Sequence, residues 1–371
     1  MGALRRLNEF GIFTSADFRS ISSVSGGSIT AAALAAALTT ITRPAAGPIP
    51  NDVWNREFRD KLREFTKKDI RTGAVATRLL PWNWFCDSAG VEALAKTYER
   101  RLTSLKLTAM PATPDFIFCA TDMAYGVNWV FERGRMGDYQ AGYKVPPPTT
   151  YPLGRAVAAS SCFPPVFNPL PARINPTELL GGKALPGAKR DACIRGLRLT
   201  DGGDYDNMGL EPVWKSHEYV LVSDAGGLFT DEGDKGLIWR IPRYQGIQER
   251  QSQALRRRWL ISNFDLGEIK GTYWAVSGGV ASYGFSTGYS EDLAKDVIAE
   301  IRTDLDAFSD AEAAVLENHG YLMADAAIQK YAVCLIRDSL PIQIPHPSWM
   351  DEKRVREALK ESGKRRIFGR H

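Results

Sequence analysis

Ser22-Ser23-Val24-Ser25-Gly26-Gly27-Ser28 (SSVSGGS) lies between a short apolar run around Ile21 and Val24 and an Ala-rich segment that continues through Ala37. The run before it reads as the end of a buried strand, and the segment after it as a tightly packed helix. A serine in the turn between the two is pushed out of the sheet into solvent. An oxyanion developing there can meet the unpaired backbone N–H groups at the start of the helix. Small residues at Gly26 and Gly27 let the helix close against the strand and let an acyl group approach. This is the logic of a nucleophile elbow, with Ser23 in place of the first glycine of GxSxG. By itself the stretch is equally a common helix-start turn, so Ser25 needs a second signal.

A nucleophilic serine needs a base. The chain has four histidines, His217, His319, His346 and His371. Ser25, Asp201 and His319 follow the chain order of an α/β-hydrolase triad. That fold, however, places several strands before its nucleophile, and the 24 residues ahead of Ser25 supply one at most. His217, among charged residues, reads as a solvated surface histidine. His319, beside Gly320, reads as a helix C-terminal residue, where a cationic ring is favourable. The better partner is in Leu199-Thr200-Asp201-Gly202-Gly203-Asp204-Tyr205-Asp206-Asn207-Met208-Gly209. Leu197 and Leu199 lead to Asp201 at a strand end, and Gly202-Gly203 make the turn. A carboxylate placed there can take the serine proton directly, as a dyad with no imidazole. The competing description is an ordinary acidic turn, because Asp-Gly is a frequent turn dipeptide.

The rest of the chain bounds the possibilities. Its 371 residues, 44% apolar and 10% aromatic, support a large core. No apolar run reaches the roughly 20 residues of a membrane span. The net charge of +4 is that of the segment Asp351–His371, with eight Lys or Arg against four Asp or Glu, and the other 350 residues carry 39 of each sign. A neutral body with a basic tail argues against a nucleic-acid partner. Five scattered cysteines without CxxC spacing indicate neither a disulfide framework nor a zinc site. Nothing calls for an organic cofactor. Arg5 and Arg6 are not followed by an apolar stretch, so no signal peptide is expected and a reducing, cytoplasmic compartment is the default.

Helices are expected at Gly2–Phe10, with Gly11 as stop signal, and at Asn55–Phe65, Gln248–Asn263, Ser290–Phe308 and Ser309–Asn318. Strands are expected at Phe116–Ala120 and Tyr219–Val222. Alternation of strands and helices predicts an α/β layer fold with parallel strands. Leu79–Phe85 is a bulky apolar segment broken by Pro81; it reads as core or as a lipid-facing wedge. The tail has a thin apolar face, Val355 and Leu359, and reads as solvated or disordered, with adsorption to anionic lipid as the alternative. Arg256-Arg257-Arg258 reads as a helix face or an anion contact.

SVSGGS near the start, SSCFPPVF at Ser160–Phe167, DGGDYDN at Asp201–Asn207 and VSDAGG at Val222–Gly227 together resemble the bacterial patatin-like phospholipases, in order and in separation, from Gly2 to about Tyr331. The resemblance implies a three-layer α/β/α fold with a mainly parallel central sheet, in a domain spanning 1–345 with a basic tail at 346–371. It implies a serine acyl hydrolase acting on a lipid or other acyl ester, with Ser25 as nucleophile, Asp201 as base and a peripheral membrane contact. Gly26, Gly27, Gly202 and Gly203 shape the two turns, and Asn207 matches an asparagine that braces the second. Asp224, followed by Ala225 before its glycines, is the competing acid. In the family a glycine-rich oxyanion loop precedes the helix that GALRRLNEFG resembles, and here Met1 stands where that loop has passed. The expectation is either a start assigned too late or an N-terminally truncated, inactive patatin-fold protein that binds membrane or a partner.

Overall fold

A run of buried aromatic and small residues, Phe116-Ile117-Phe118-Cys119-Ala120, forms the central strand of the protein, seen in a computed structural model that describes residues 1–45, 47–78, 80–83, 86–227, 233–338 and 340–364, apart from the side chains of 78, 82, 238 and 242. Among these residues the strands are β1 (Ser20–Ser23), β2 (Asp115–Asp122), β3 (Val127–Phe131), β4 (Met136–Asp138), β5 (Gly142–Lys144), β6 (Leu170–Pro171), β7 (Arg198–Asp201), β8 (Tyr219–Asp224) and β9 (Lys270–Ala275). The main sheet has the order β5-β4-β3-β2-β7-β6, with β1 added to β2.

The expectation of a mainly parallel sheet is not met. In the main sheet only β1 runs parallel to its neighbour; β2–β3, β3–β4, β4–β5, β2–β7 and β6–β7 are all antiparallel. The reason lies in the connections. Only Met123–Gly126, Glu132–Arg135 and Tyr139–Ala141 join β2 through β5, and a parallel crossover needs a dozen residues or more. The second parallel pair, β8–β9, forms a separate two-stranded sheet, bridged by the helix Leu237–Leu266. The whole is a mixed α/β protein.

Side chains alternate across β2. Phe116, Phe118 and Ala120 face the largest core, shared with the helices Gly26–Thr40, Ala89–Arg101 and Leu153–Ser161. Ile117 and Cys119 face a small cluster with Val24 and Val130. The Ala-rich stretch does form a packed helix, with Ala31, Ala32, Leu34 and Ala35 buried.

The first helix, Gly2–Glu9, packs against Asp310–Tyr331 so closely that a Cβ at Gly2 would lie 1.8 Å from the Glu317 carbonyl oxygen. Arg6 joins the two, reaching Glu9 at 3.1 Å and Asp325 at 2.7 Å. Ser309 starts the later helix with a capping box to Glu312, but the helix continues well past the expected stop at Asn318. His319 is therefore mid-helix rather than C-terminal. The segment expected as one helix over Ser290–Phe308 is helical only across Glu291–Ile298. Beyond it Leu305 takes a positive φ of 62°, and buried Arg302 ties Asp306 and Glu312 together at 3.4 and 2.6 Å. A buried guanidinium must be paired, and these partners outweigh local helix propensity.

The tail also departs from expectation: Glu352–Leu359 is a helix whose Val355 and Leu359 are buried beside Ile298 and Val315. Leu79, Trp84 and Phe85 of the expected wedge, and the basic residues from Arg365 onward, lie outside the described residues. No helix among the described residues is long and apolar enough to cross a membrane.

Candidate active site

Both candidate turns are placed by β2. β3 occupies one edge of β2, opposite residues 118–122, which leaves the other edge to β1 and β7. β1 runs along that edge parallel to β2 and stops with Ser23 opposite Phe118. β7 comes along the same edge from the other end, antiparallel, and stops with Asp201 opposite Ala120. The two strands thus point at each other across Cys119, and the residues that follow them, Val24-Ser25 and Gly202-Gly203, must turn out of the sheet at one place.

The helix Leu153–Ser161 supplies a clamp for both turns. Its last carbonyls have no partner further along the helix, since the chain leaves it through Cys162 and Pro164-Pro165. The Ser160 carbonyl oxygen accepts the Ser25 N–H at 3.1 Å and the Gly202 N–H at 3.2 Å. Ser160 Oγ accepts the Ser25 N–H as well, at 3.1 Å, and lies 2.8 Å from Ser28 Oγ. Ser28 Oγ donates to Ser23 Oγ at 3.1 Å, and Ser23 Oγ to the Ile117 carbonyl at 3.2 Å. This buried hydroxyl chain pins the start of the Gly26–Thr40 helix to β2. Sequence reading assigned SSCFPPVF no role; Ser160 is the residue it missed, and the Pro-Pro that ends a helix is the signal that its carbonyl is free.

Ser25 is strained. Its φ of 51° and ψ of −121° fall at the i+1 corner of a type II′ turn, which glycine prefers. The Gly27 N–H closes that turn on the Val24 carbonyl at 2.8 Å. A non-glycine residue there costs of order 1–3 kcal/mol. The Gly26 N–H, first of the helix, has no acceptor among the described residues. A Cβ at Gly26 would meet nothing within 4 Å, and one at Gly27 only Ser23 Cβ at 4.0 Å. Gly26 and Gly27 are therefore not needed for close helix–strand packing, contrary to expectation. They leave open space in front of Ser25.

Gly202 is the tight position instead: a Cβ there would lie 2.4 Å from the Cys119 carbonyl oxygen and 3.1 Å from Val24 Cγ1. Gly202→Ala is expected to lower the unfolding free energy by about 1–3 kcal/mol, as overpacking does, while Gly27→Ala leaves it nearly unchanged. Urea denaturation of the two variants makes the comparison.

Asp201 is 5% exposed. Its Oδ1 accepts the Gly203 N–H at 2.8 Å, and its backbone carbonyl accepts the Thr121 hydroxyl at 2.7 Å. Oδ2 is buried without a formed hydrogen bond. Burial pushes the carboxyl up to about 7, against the downward pull of the Gly203 N–H and the Ser25 side chain, with nearby Asp204 and Glu249 adding to the rise. The structure thus brings Ser25 and Asp201 within interaction range, and the carboxylate keeps one oxygen uncommitted.

The competing groups are engaged elsewhere. Asp224 accepts the Tyr273 hydroxyl at 2.8 Å and the Gly226 N–H at 3.0 Å. Asn207 stands between the two acidic turns, its amide close to both Gly203 and Gly226. His319 holds the Val276 carbonyl at 2.8 Å, and burial drives its pKa down to about 4, so its ring is neutral at pH 7. His217 is half-buried instead of solvated, between Ser20 Oγ at 2.7 Å and the Val213 carbonyl at 2.9 Å. His346 lies on Glu317 at 2.8 Å. Among the described residues no three His, Cys, Asp or Glu side chains gather as metal ligands would.

The family model described as patatin-like phospholipase matches residues 1–214, a range that contains the Ser25, Ser160 and Asp201 segments and ends before Asp224. No curated protein matches the chain.

Proposed function

Because the chain belongs to the patatin-like phospholipase family, a family of lipid acyl hydrolases, we propose that it cleaves carboxylic esters of a lipid or other acyl donor through a Ser25–Asp201 dyad and an acyl-enzyme. The acyl hydrolase unit on this reading takes in residues 1–345. Ser25 Oγ attacks the ester carbonyl carbon while Asp201 takes the hydroxyl proton. The oxyanion faces the Gly26 N–H, in the open space that glycine leaves, and the start of the helix behind it. Collapse expels the alcohol, which leaves with the proton held on Asp201. Water, deprotonated by Asp201, then attacks the acyl-enzyme and releases the acid. No metal or organic cofactor enters any step. Gly202 and Gly203 shape the turn that presents the base, and Asn207 braces it.

The observation that carries this reading is the meeting of β1 and β7 at Cys119, with both turns hung on the one Ser160 carbonyl. A base with a pKa near the working pH couples a usable unprotonated fraction to useful basicity, and burial gives Asp201 such a value. The pH dependence follows. With Asp201 raised to about 7, kcat/KM should climb tenfold per pH unit below that value and level off above it, because only the carboxylate accepts the proton. A profile already flat from pH 5 upward would remove Asp201 as the base. The reading as a whole is tested by turnover of p-nitrophenyl esters by wild type, Ser25→Ala and Asp201→Asn. Equal rates for all three would leave a non-catalytic patatin-fold protein that binds membrane or a partner.

A further inference from the structure

Asp122 ends β2 and Asp138 ends β4. By strand alternation Asp122 shares the face of Ala120 and Asp138 that of Met136, both residues of the largest core. The two are 0 and 1% exposed. Each spends Oδ1 on its own turn. Asp122 Oδ1 accepts the N–H groups of Ala124 at 2.6 Å and Tyr125 at 3.3 Å, and Asp138 Oδ1 those of Gln140 and Ala141, both at 2.7 Å. Each Oδ2 is buried without an N–H or O–H donor among the described residues, and the two side chains lie within hydrogen-bonding reach of each other.

That arrangement is untenable with both groups ionised. Two negative charges in contact inside the protein repel, and each Oδ2 would also be an unsatisfied acceptor. The charged and titratable side chains around them are Tyr125 in the β2–β3 turn, Arg190 and Cys193 on the helix Ala188–Arg195, and Glu132, Arg135 and Tyr143 along β3 to β5. Arg190 donates to the Ala141 carbonyl at 2.8 Å and Arg135 pairs with Glu132 at 2.7 Å; among the described residues no ion pair reaches Asp122 or Asp138. One proton removes both faults, because a protonated carboxyl donates where a carboxylate only accepts. We infer that Asp138 and Asp122 share a single proton, Asp138 as donor and Asp122 as acceptor, and that this bond latches the β4–β5 hairpin onto the end of β2.

Burial pushes both carboxyls up from their ordinary value of 3.8, against the pull of the turn N–H groups, and the contact with Asp122 helps carry Asp138 to about 7. The folded chain therefore holds a proton that the unfolded chain has released, so the stability this pair confers falls as pH rises from 3.8 towards that value. Above it two buried charges oppose each other, and the hairpin must part from β2 or admit water. The place matters to the fold: Leu199 of β7 pairs opposite Asp122, two residues from the Ala120–Asp201 pair. The turn after Asp138 in its turn holds the next segment, with the Lys183 and Ala184 N–H groups on the Tyr139 and Gln140 carbonyls at 2.9 and 3.0 Å. Neither Asp122 nor Asp138 belongs to the proposed dyad, so the latch stands or falls apart from the acyl hydrolase reading.

The test uses full chains that all carry Asp201→Asn and Asp204→Asn, which removes the other two carboxyls that burial raises. To this reference is added Asp138→Asn or Asp122→Asn. Asparagine keeps the turn contacts through its oxygen and donates to the remaining carboxylate through its amide, with nothing to titrate. In urea denaturation the unfolding constant of the reference, divided by that of either variant, should grow about tenfold per pH unit between pH 5 and 7. The two variants should behave alike because they delete the same proton. Infrared spectra at pH 6 should show the carbonyl band of a protonated carboxyl in the reference and lose it in each variant. A ratio that does not change with pH, or a band of unchanged intensity in either variant, overturns the proposal. So does stabilisation of the reference by added calcium that both variants lack, since a cation then occupies the place of the proton. Should a variant fail to fold, the reference spectrum still decides: absence of the band at pH 6 rules the shared proton out.

Discussion

Removing the Ser25 hydroxyl is expected to abolish ester turnover and, in one of two variants, to make the protein more stable. Ser25→Ala and Ser25→Gly both delete the nucleophile, and loss of a catalytic serine costs on the order of 10⁴-fold or more in kcat. They differ in the backbone. Alanine keeps the steric conflict of a Cβ at φ 51°, ψ −121°, whereas glycine takes up that corner freely. Ser25→Gly should thus gain about 1–3 kcal/mol in unfolding free energy over Ser25→Ala. The pair is read by urea denaturation beside p-nitrophenyl ester turnover. If glycine gives no gain over alanine, the elbow is not strained; if either variant retains wild-type turnover, Ser25 is not the nucleophile.

Asp201→Asn is expected to trade activity for stability in a way that depends on pH. Burial raises the carboxyl to about 7 from an unfolded value of 3.8. Between those values the folded chain holds a proton that the unfolded chain has released, so wild-type stability falls as pH rises through that window and the full cost is present above pH 7. The gap sets a ceiling of about 4 kcal/mol. Asparagine has nothing to ionise, and its side-chain oxygen can still accept the Gly203 N–H. The variant should gain stability over wild type above pH 7 and little or none below pH 4, while turnover drops by about 10²–10⁴-fold. Calorimetry across pH 4 to 8 decides it: a stability difference that does not grow with pH would mean that Asp201 titrates normally.

What could be seen in the sequence follows physical range. Ser25 and Asp201 were legible because each is flagged by the turn chemistry of its immediate neighbours, serine before glycines at a helix start and aspartate before glycines at a strand end. The strand direction was not. β4 and β5 have three residues each, and each carries a glycine, Gly137 or Gly142, so neither shows a readable alternation. The role of Ser160 was hidden for another reason: the acceptor is a main-chain carbonyl, which any residue has, and only the end of the helix makes it available. His319 misled because Gly320 looks like a stop signal. Here that glycine sits where the first helix crosses, with Ala3 N at 3.5 Å from a hypothetical Cβ.

The meeting of β1 and β7 on one edge of β2 makes that strand a ruler. Of the 175 residues between Ser25 and Asp201, those in the loops play no part in setting the gap, which is counted in rungs of a single ladder from Phe118 to Ala120 and braced at the Ser160 carbonyl. Loops among those residues are free to lengthen, shorten or acquire new surfaces without moving the hydroxyl relative to the carboxyl. One residue added or lost inside Phe118–Ala120 would instead displace one against the other by a full step. Changes in loop length elsewhere thus leave the spacing of Ser25 and Asp201 as it is, while a change in length at three positions of β2 alters it.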